Sequence, residues 1–171
     1  MGTDMKHSIY WIERVFPGRL GIAARPRGGD WLEDEIKAWR ANEVDIAISL
    51  LTPDEEEELG LKLENKISES NGLEFHSLPI ADRGVPESNE PIILLADKIL
   101  QRLLAGKNAI LHCRQSVGRS GMMAATVLIE SGMVPHDAIR LIRNARNVEI
   151  PETKQQMEWI ESLAKIHTGN H

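Results

Sequence analysis

The sequence predicts an α/β domain with a short, mainly parallel central sheet flanked by helices. Three observations carry that prediction. Strand-length apolar runs alternate with stretches of helical period, helix starts are marked by capping residues and prolines, and "SGMMAATVLIES" (120–131) is apolar nearly all round, as a helix covered by its neighbours must be.

The elements follow in order. "RLGIAARP" (19–26) reads as a short strand, and Asp30 with Glu33 makes a cap pair opening a helix over about 31–42. "VDIAISLL" (44–51) reads as a buried strand. Thr52, Pro53 and Glu55 then combine a capping side chain, a first-turn proline and an acid near the positive helix end. The acidic run Glu55 to Glu58 is expected to be a solvated helix face. "LEFHSLPI" (73–80) is a third strand, and "ADRGVPESNEP" (81–91), with one glycine and two prolines, is a loop. From about Ser88 to Leu104, apolar residues at 92, 96, 99 and 103 form a helical stripe. "NAILH" (108–112) is a brief strand before the buried helix, and two more helices close the chain at about 135–146 and 151–166, with Pro135 and Pro151 near their starts.

A chain of 171 residues without repeats or linkers fits one domain (1–171), large enough to bury a core without staples. Hydrophobic content of 42% and charged content of 27% suit a soluble protein, and no segment approaches the roughly 18 apolar residues of a membrane span. No secretory leader is visible and a single cysteine forms no internal disulfide, so the cytoplasm is the expected location. A formal net charge of −6 argues against general nucleic-acid binding, so any anion site must be built locally.

"LHCRQSVGRSG" (111–121) supplies such a site. A strand ends at His112, Cys113 follows, five residues turn (Arg114, Gln115, Ser116, Val117, Gly118), and Arg119 and Ser120 enter the buried helix. Backbone N–H groups of the loop and first helical turn have no partner within the helix, and with the helix dipole they favour a phosphate. Gly118 permits close backbone approach, and the planar fork of Arg119 can grip two phosphate oxygens. The same field stabilises a thiolate, a competent nucleophile toward phosphorus.

His-Cys, five residues, Arg-Ser resembles the signature of the cysteine-dependent protein phosphatases. "LPIADRGVPES" resembles the acid loop of their small dual-specificity members, most closely the cyclin-dependent-kinase-associated type; the resemblance covers about residues 40–165. It implies a dual-specificity-phosphatase-like fold and hydrolysis of phosphotyrosine, with phosphoserine and phosphothreonine, through a phosphocysteine. By that resemblance Cys113 is the nucleophile, Arg119 and the loop amides of 114–118 hold the phosphate, and Asp82, 31 positions before Cys113, is the general acid. Ser120 assists the departing thiolate. Gln156 resembles the water-positioning glutamine, with Gln155 an equally simple candidate one residue away. No cofactor or metal is implied, and the expected partner is a phosphorylated protein met by a monomer, without nucleic acid or membrane.

Plainer readings stand beside these. A lone cysteine after a strand is commonly an inert buried residue, and Asp before Gly is a common turn former. Arg83 is either an anion contact or surface charge. Arg25 and Arg27 in "RPRGGD" either add a phosphate contact or belong to a turn, and the turn is the simpler reading. Arg114 is expected to serve through its backbone amide while its side chain points away. Asp97 is expected to face solvent, and Trp11, Trp31, Trp39 and Trp159 to be packing residues. Three alternatives remain: a silent phosphoprotein-binding module, a phosphatase of a phosphoinositide, nucleotide or RNA 5′ end, and a rhodanese-like sulfur transferase. The single tyrosine, Tyr10, is far from the expected site, which favours a shallow pocket, and oxidised Cys113 would have to be rescued by a backbone sulfenamide or an external thiol.

Overall fold

The computed structural model describes residues 9–115 and 117–168. Five strands form one sheet in the order β1-β2-β5-β3-β4, where β1 is Ile9–Trp11, β2 Leu20–Ala23, β3 Ile46–Ser49, β4 Glu74–Ser77 and β5 Ala109–His112. Only β1, pairing with β2, runs antiparallel. The helices are α1 Leu32–Ala41, α2 Pro53–Glu58, α3 Glu64–Ser70, α4 Asn89–Leu104, α5 Gly118–Glu130, α6 Pro135–Arg146 and α7 Lys154–Thr168.

Strand side chains alternate between two cores. Ile46, Ile48, Ala109 and Leu111 enter the larger one with α4, α5, α6 and α7, whereas Ala47 and Ile110 face the smaller one with Leu32, Ile36 and Trp39 of α1. The chain steps outward from β2 to β3 to β4, then returns through α4 to insert β5 at the centre. Right-handed crossovers put helices on opposite faces when the direction reverses, and ligands of such sheets gather beyond the carboxyl ends near the reversal. Ser49, His112 and Ser77 end their strands in register. Past those ends Leu50 N–H still bonds His112 O at 3.0 Å and Ile80 N–H bonds Leu50 O at 3.2 Å, which carries the segment after β4 alongside the segment after β3, itself still tied to the end of β5.

α5 is buried over all but its last residue, as its composition predicts. Several expectations change. β1 and α3 were not visible in the sequence: β1 has three residues, and α3 turns Glu64 and Ser68 inward, so its buried face lacks an apolar period. The strands expected over 19–26, 44–51 and 73–80 are each four residues long, because pairing ends where the chain rises toward the loops. Asp30 does not cap α1, since Gly29–Trp31 forms a 3-10 turn and Trp31 takes the cap position without a side-chain bond. Trp31 is not a packing residue: it is 56% exposed and lies under the Arg27 guanidinium at 4.4 Å. α7 begins at Lys154, where Thr153 Oγ1 accepts from Gln156 N–H at 3.1 Å. Asp97 is exposed on α4, as expected.

Candidate active site

Cys113 leaves β5 into the larger core and is 2% exposed. The Ser120 hydroxyl donates to its Sγ at 3.2 Å. Ser120 lies in the first turn of α5, whose cap residue Val117 makes no side-chain bond and whose first turn carries no acid. The positive end of α5 is therefore left uncompensated by capping groups next to the sulfur. Behind Cys113, His112 and Glu64 are fully buried, with Nε2 and Oε2 2.6 Å apart, which ties the end of β5 to α3.

Arg119 is 1% exposed and is held on every side. Its Nη1 donates to Glu55 Oε1 at 2.6 Å and to Ile80 O at 2.8 Å; its Nη2 donates to Glu55 Oε2 at 2.9 Å and to Asp82 Oδ1 at 3.2 Å. Burial opposes its charge, but Glu55, Cys113 and Asp82 outweigh burial and raise its pKa further. Burial likewise pushes the Glu55 carboxyl up, yet bonds from Arg119 and Thr52 and the Arg119 charge bring it down to about 2. Glu55 corrects the expectation of a solvated acidic face, because it is 9% exposed and turned toward the site. The signal was available: Thr52 and Glu55 form a reciprocal capping box, and that box bends the Glu55 carboxylate back toward the end of β3, where the site lies.

The other candidates gather around this pair. Asp82 stands in a turn closed by Gly84 N–H to Ala81 O at 2.8 Å, its side chain half-exposed. Arg83, at φ +59°, pairs with Glu152 at 3.2 Å instead of turning to the loop. The structure separates the two glutamines. Gln155 is exposed, whereas Gln156 is buried, its Nε2 donating to Gly84 O at 3.1 Å and its Oε1 accepting from Glu152 N–H at 3.0 Å. A Cβ at Gly118 would lie 2.8 Å from Gln156 Oε1 and 2.7 Å from Glu152 Oε1, so any larger residue there would have to displace these two side-chain ends. Arg114 points away as expected, its Nη2 donating to Glu58 Oε1 at 2.9 Å. Gln115 is exposed and Val117 half-buried. Ser116 lies outside the described residues. Arg25 reaches the loop, with Nη1 donating to Arg114 O.

The loop of Cys113, the Arg119 fork and the loop of Asp82 thus meet at one sheet end. Residues 21–133, well over half the chain, match the model of a family described as "Polymorphic toxin system, DSP-PTPase phosphatase". The chain belongs to this family. It is 33% identical over 109 residues to "Protein tyrosine phosphatase PRL-1" of Leishmania major, an alignment covering 58% of this chain and 61% of that protein. The chain therefore spans less than two thirds of that relative's length. Its fold matches a crystal structure of kinase-associated phosphatase with the catalytic-site cysteine replaced by serine, at TM-score 0.84 and 18% identity, covering 95% of this chain and 96% of the other. It also matches Tk-PTP in its active form, at TM-score 0.76 and 27% identity, covering 93% and 97%. Among the described residues of this family member, no helix is long and apolar enough to cross a membrane.

Proposed function

We propose that the protein removes phosphate from phosphorylated proteins, at phosphotyrosine and also at phosphoserine and phosphothreonine, through a phosphocysteine on Cys113. The observation that carries this reading is the Ser120 hydroxyl on the Cys113 sulfur at the open end of α5, one residue from the buried Arg119 fork.

In the first step the Cys113 thiolate attacks phosphorus in line. The S–P bond forms as the bond to the leaving oxygen breaks, and Asp82 protonates that oxygen. Arg119 and the amides of Arg114, Gln115, Ser116, Val117 and Gly118 stabilise the charge on the transferring group. In the second step Asp82, now a carboxylate, takes a proton from water placed by Gln156, and that water attacks phosphorus. The S–P bond breaks and Ser120 donates to the departing thiolate. Asp82 bonds Arg119, so acid and phosphate grip share one frame in which small misplacements would be costly. The reading places the monomeric protein in the cytoplasm, without nucleic acid, membrane or metal.

The test is an aryl phosphate assay with wild type, Cys113→Ser and Arg119→Lys, with chelator present. Wild-type turnover that survives chelation, is abolished in Cys113→Ser and falls steeply in Arg119→Lys is expected. Full activity in Cys113→Ser would sink the mechanism.

A further inference from the structure

Beside the candidate active site runs a groove of about 380 Å³ that the reaction steps leave unused. Its floor and walls include Arg25, Pro26, Arg27 and Leu59, and it continues into Arg114 and Gln115, the two residues after Cys113. The segment carrying Arg25 and Arg27 lies hard against the chain between α2 and α3: Gly29 N–H bonds Gly60 O at 3.0 Å, and a Cβ at Gly28 would stand 2.0 Å from Leu59 O. The groove is thus held by backbone contacts and not by chance side-chain placement.

Its charges are unequal. Arg114 is taken up by Glu58, and Arg27 Nε donates to Glu35 Oε1 at 2.9 Å while its guanidinium stacks on the exposed Trp31. Arg25 has no carboxylate partner among the described residues, and its recorded bond is to the Arg114 carbonyl. Arg25 thus brings to the edge of the loop that would hold a phosphate a guanidinium that no carboxylate of the described residues pairs with. An anionic group entering here would meet the Arg25 fork and the Nη groups of Arg27.

Resting on the reading of the loop as a phosphate site, we propose that this groove is a substrate subsite that takes an acidic side chain close in sequence to the phosphorylated residue of a peptide. The exposed Trp31 beside Arg27, with the half-buried Leu59, provides aromatic and apolar surface for the peptide on either side of that charge. An anionic membrane surface fits less well. The formal net charge of −6 would repel an extended negative plane, whereas a single carboxylate needs only the guanidinium groups of Arg25 and Arg27.

The test separates binding from turnover. With Cys113→Ser as the binding form, fluorescence anisotropy would compare phosphotyrosine peptides carrying one Glu or one Gln at each position within three of the phosphotyrosine. We expect at least one Glu position to bind about tenfold more tightly than its Gln counterpart, the size of one favourable partly desolvated charge contact. Arg25→Gln and Arg27→Gln should each reduce that ratio to about twofold or less, and Arg27→Glu should turn the preference toward Lys at the same position. Distortion of the Cys113 loop would weaken both peptides alike and leave the ratio unchanged. No preference at any position, a preference that survives both glutamine variants, or tighter binding of vesicles containing a phosphoinositide than of every peptide would each overturn the subsite. Failure of the wild type to turn over aryl phosphate, with the ratio and its loss in the variants intact, would overturn the catalytic reading and leave the subsite standing.

Discussion

Arg119 and Glu55 meet fork to fork in the interior, with two bonds of 2.6 and 2.9 Å joining α5 to α2 across the end of β3. Removing one partner of a buried ion pair leaves the other charge uncompensated, at about 3–5 kcal/mol. Glu55→Ala is therefore expected to lower unfolding free energy in urea by about that much and to depress turnover of aryl phosphate through loss of the Arg119 position. The pH dependence has a definite sign. The Glu55 carboxyl is brought down to about 2 in the folded chain, so its contribution is complete above the ordinary value near 4.5 and is lost as pH falls toward 2. The stability gap between wild type and Glu55→Gln should narrow across that window.

Asp82→Ala tests the acid. Its cost should be about 10²–10⁴-fold on an alkyl phosphate, the usual range for a lost general acid, and much less on a nitrophenyl phosphate whose leaving oxygen needs no proton. A loss independent of leaving group would move the acid role elsewhere.

Gly118→Ala forces a methyl group into the side-chain ends of Gln156 and Glu152. Overpacking of this kind costs about 1–3 kcal/mol. The relief available is to push Gln156 off the Gly84 carbonyl, so the 81–88 loop should become more open to limited proteolysis. Gln156→Ala, which removes the brace without adding volume, should open the same loop.

Glu130 at the end of α5 faces Asp97 on α4. Burial, then the bond and charge of Asp97, raise its pKa to about 7. A carboxyl raised in the folded state contributes stability below its ordinary value near 4.5, and that contribution fades as pH climbs to about 7. Glu130→Gln, which keeps a donor toward Asp97 without the charge, should raise Tm above pH 7 and change it little near pH 5.

Much of this was legible from local chemistry. The strand, cysteine loop and buried helix could be read because apolar runs, glycines and Arg-Ser spacing are all consecutive in the chain, and so could the 81–91 loop with its aspartate. What escaped is polar and inward-facing. Glu55 read as one of four solvated acids: the Thr52–Glu55 capping box singles it out locally, but nothing local says that an arginine 64 positions away waits for it at the end of β3. Glu64 and Ser68 hid α3 by putting polar groups where an apolar stripe is sought. Gln155 and Gln156 could not be separated until the backbone fixed which one α7 turns toward Gly118. Arg25 read as a turn residue because its partner, the Arg114 carbonyl, is a backbone atom that carries no mark in the sequence.

The bond from Gln156 to the Gly84 carbonyl also bears on the order in which the protein is made. Synthesis proceeds from the amino terminus, and α7 emerges after the other helices of the described residues. Cys113, Arg119, Glu55 and Asp82 are all translated before it, so a nascent chain can assemble the sulfur and its fork while the 81–88 loop still lacks its brace. The clamp across that loop closes only when α7 has left the ribosome and docked.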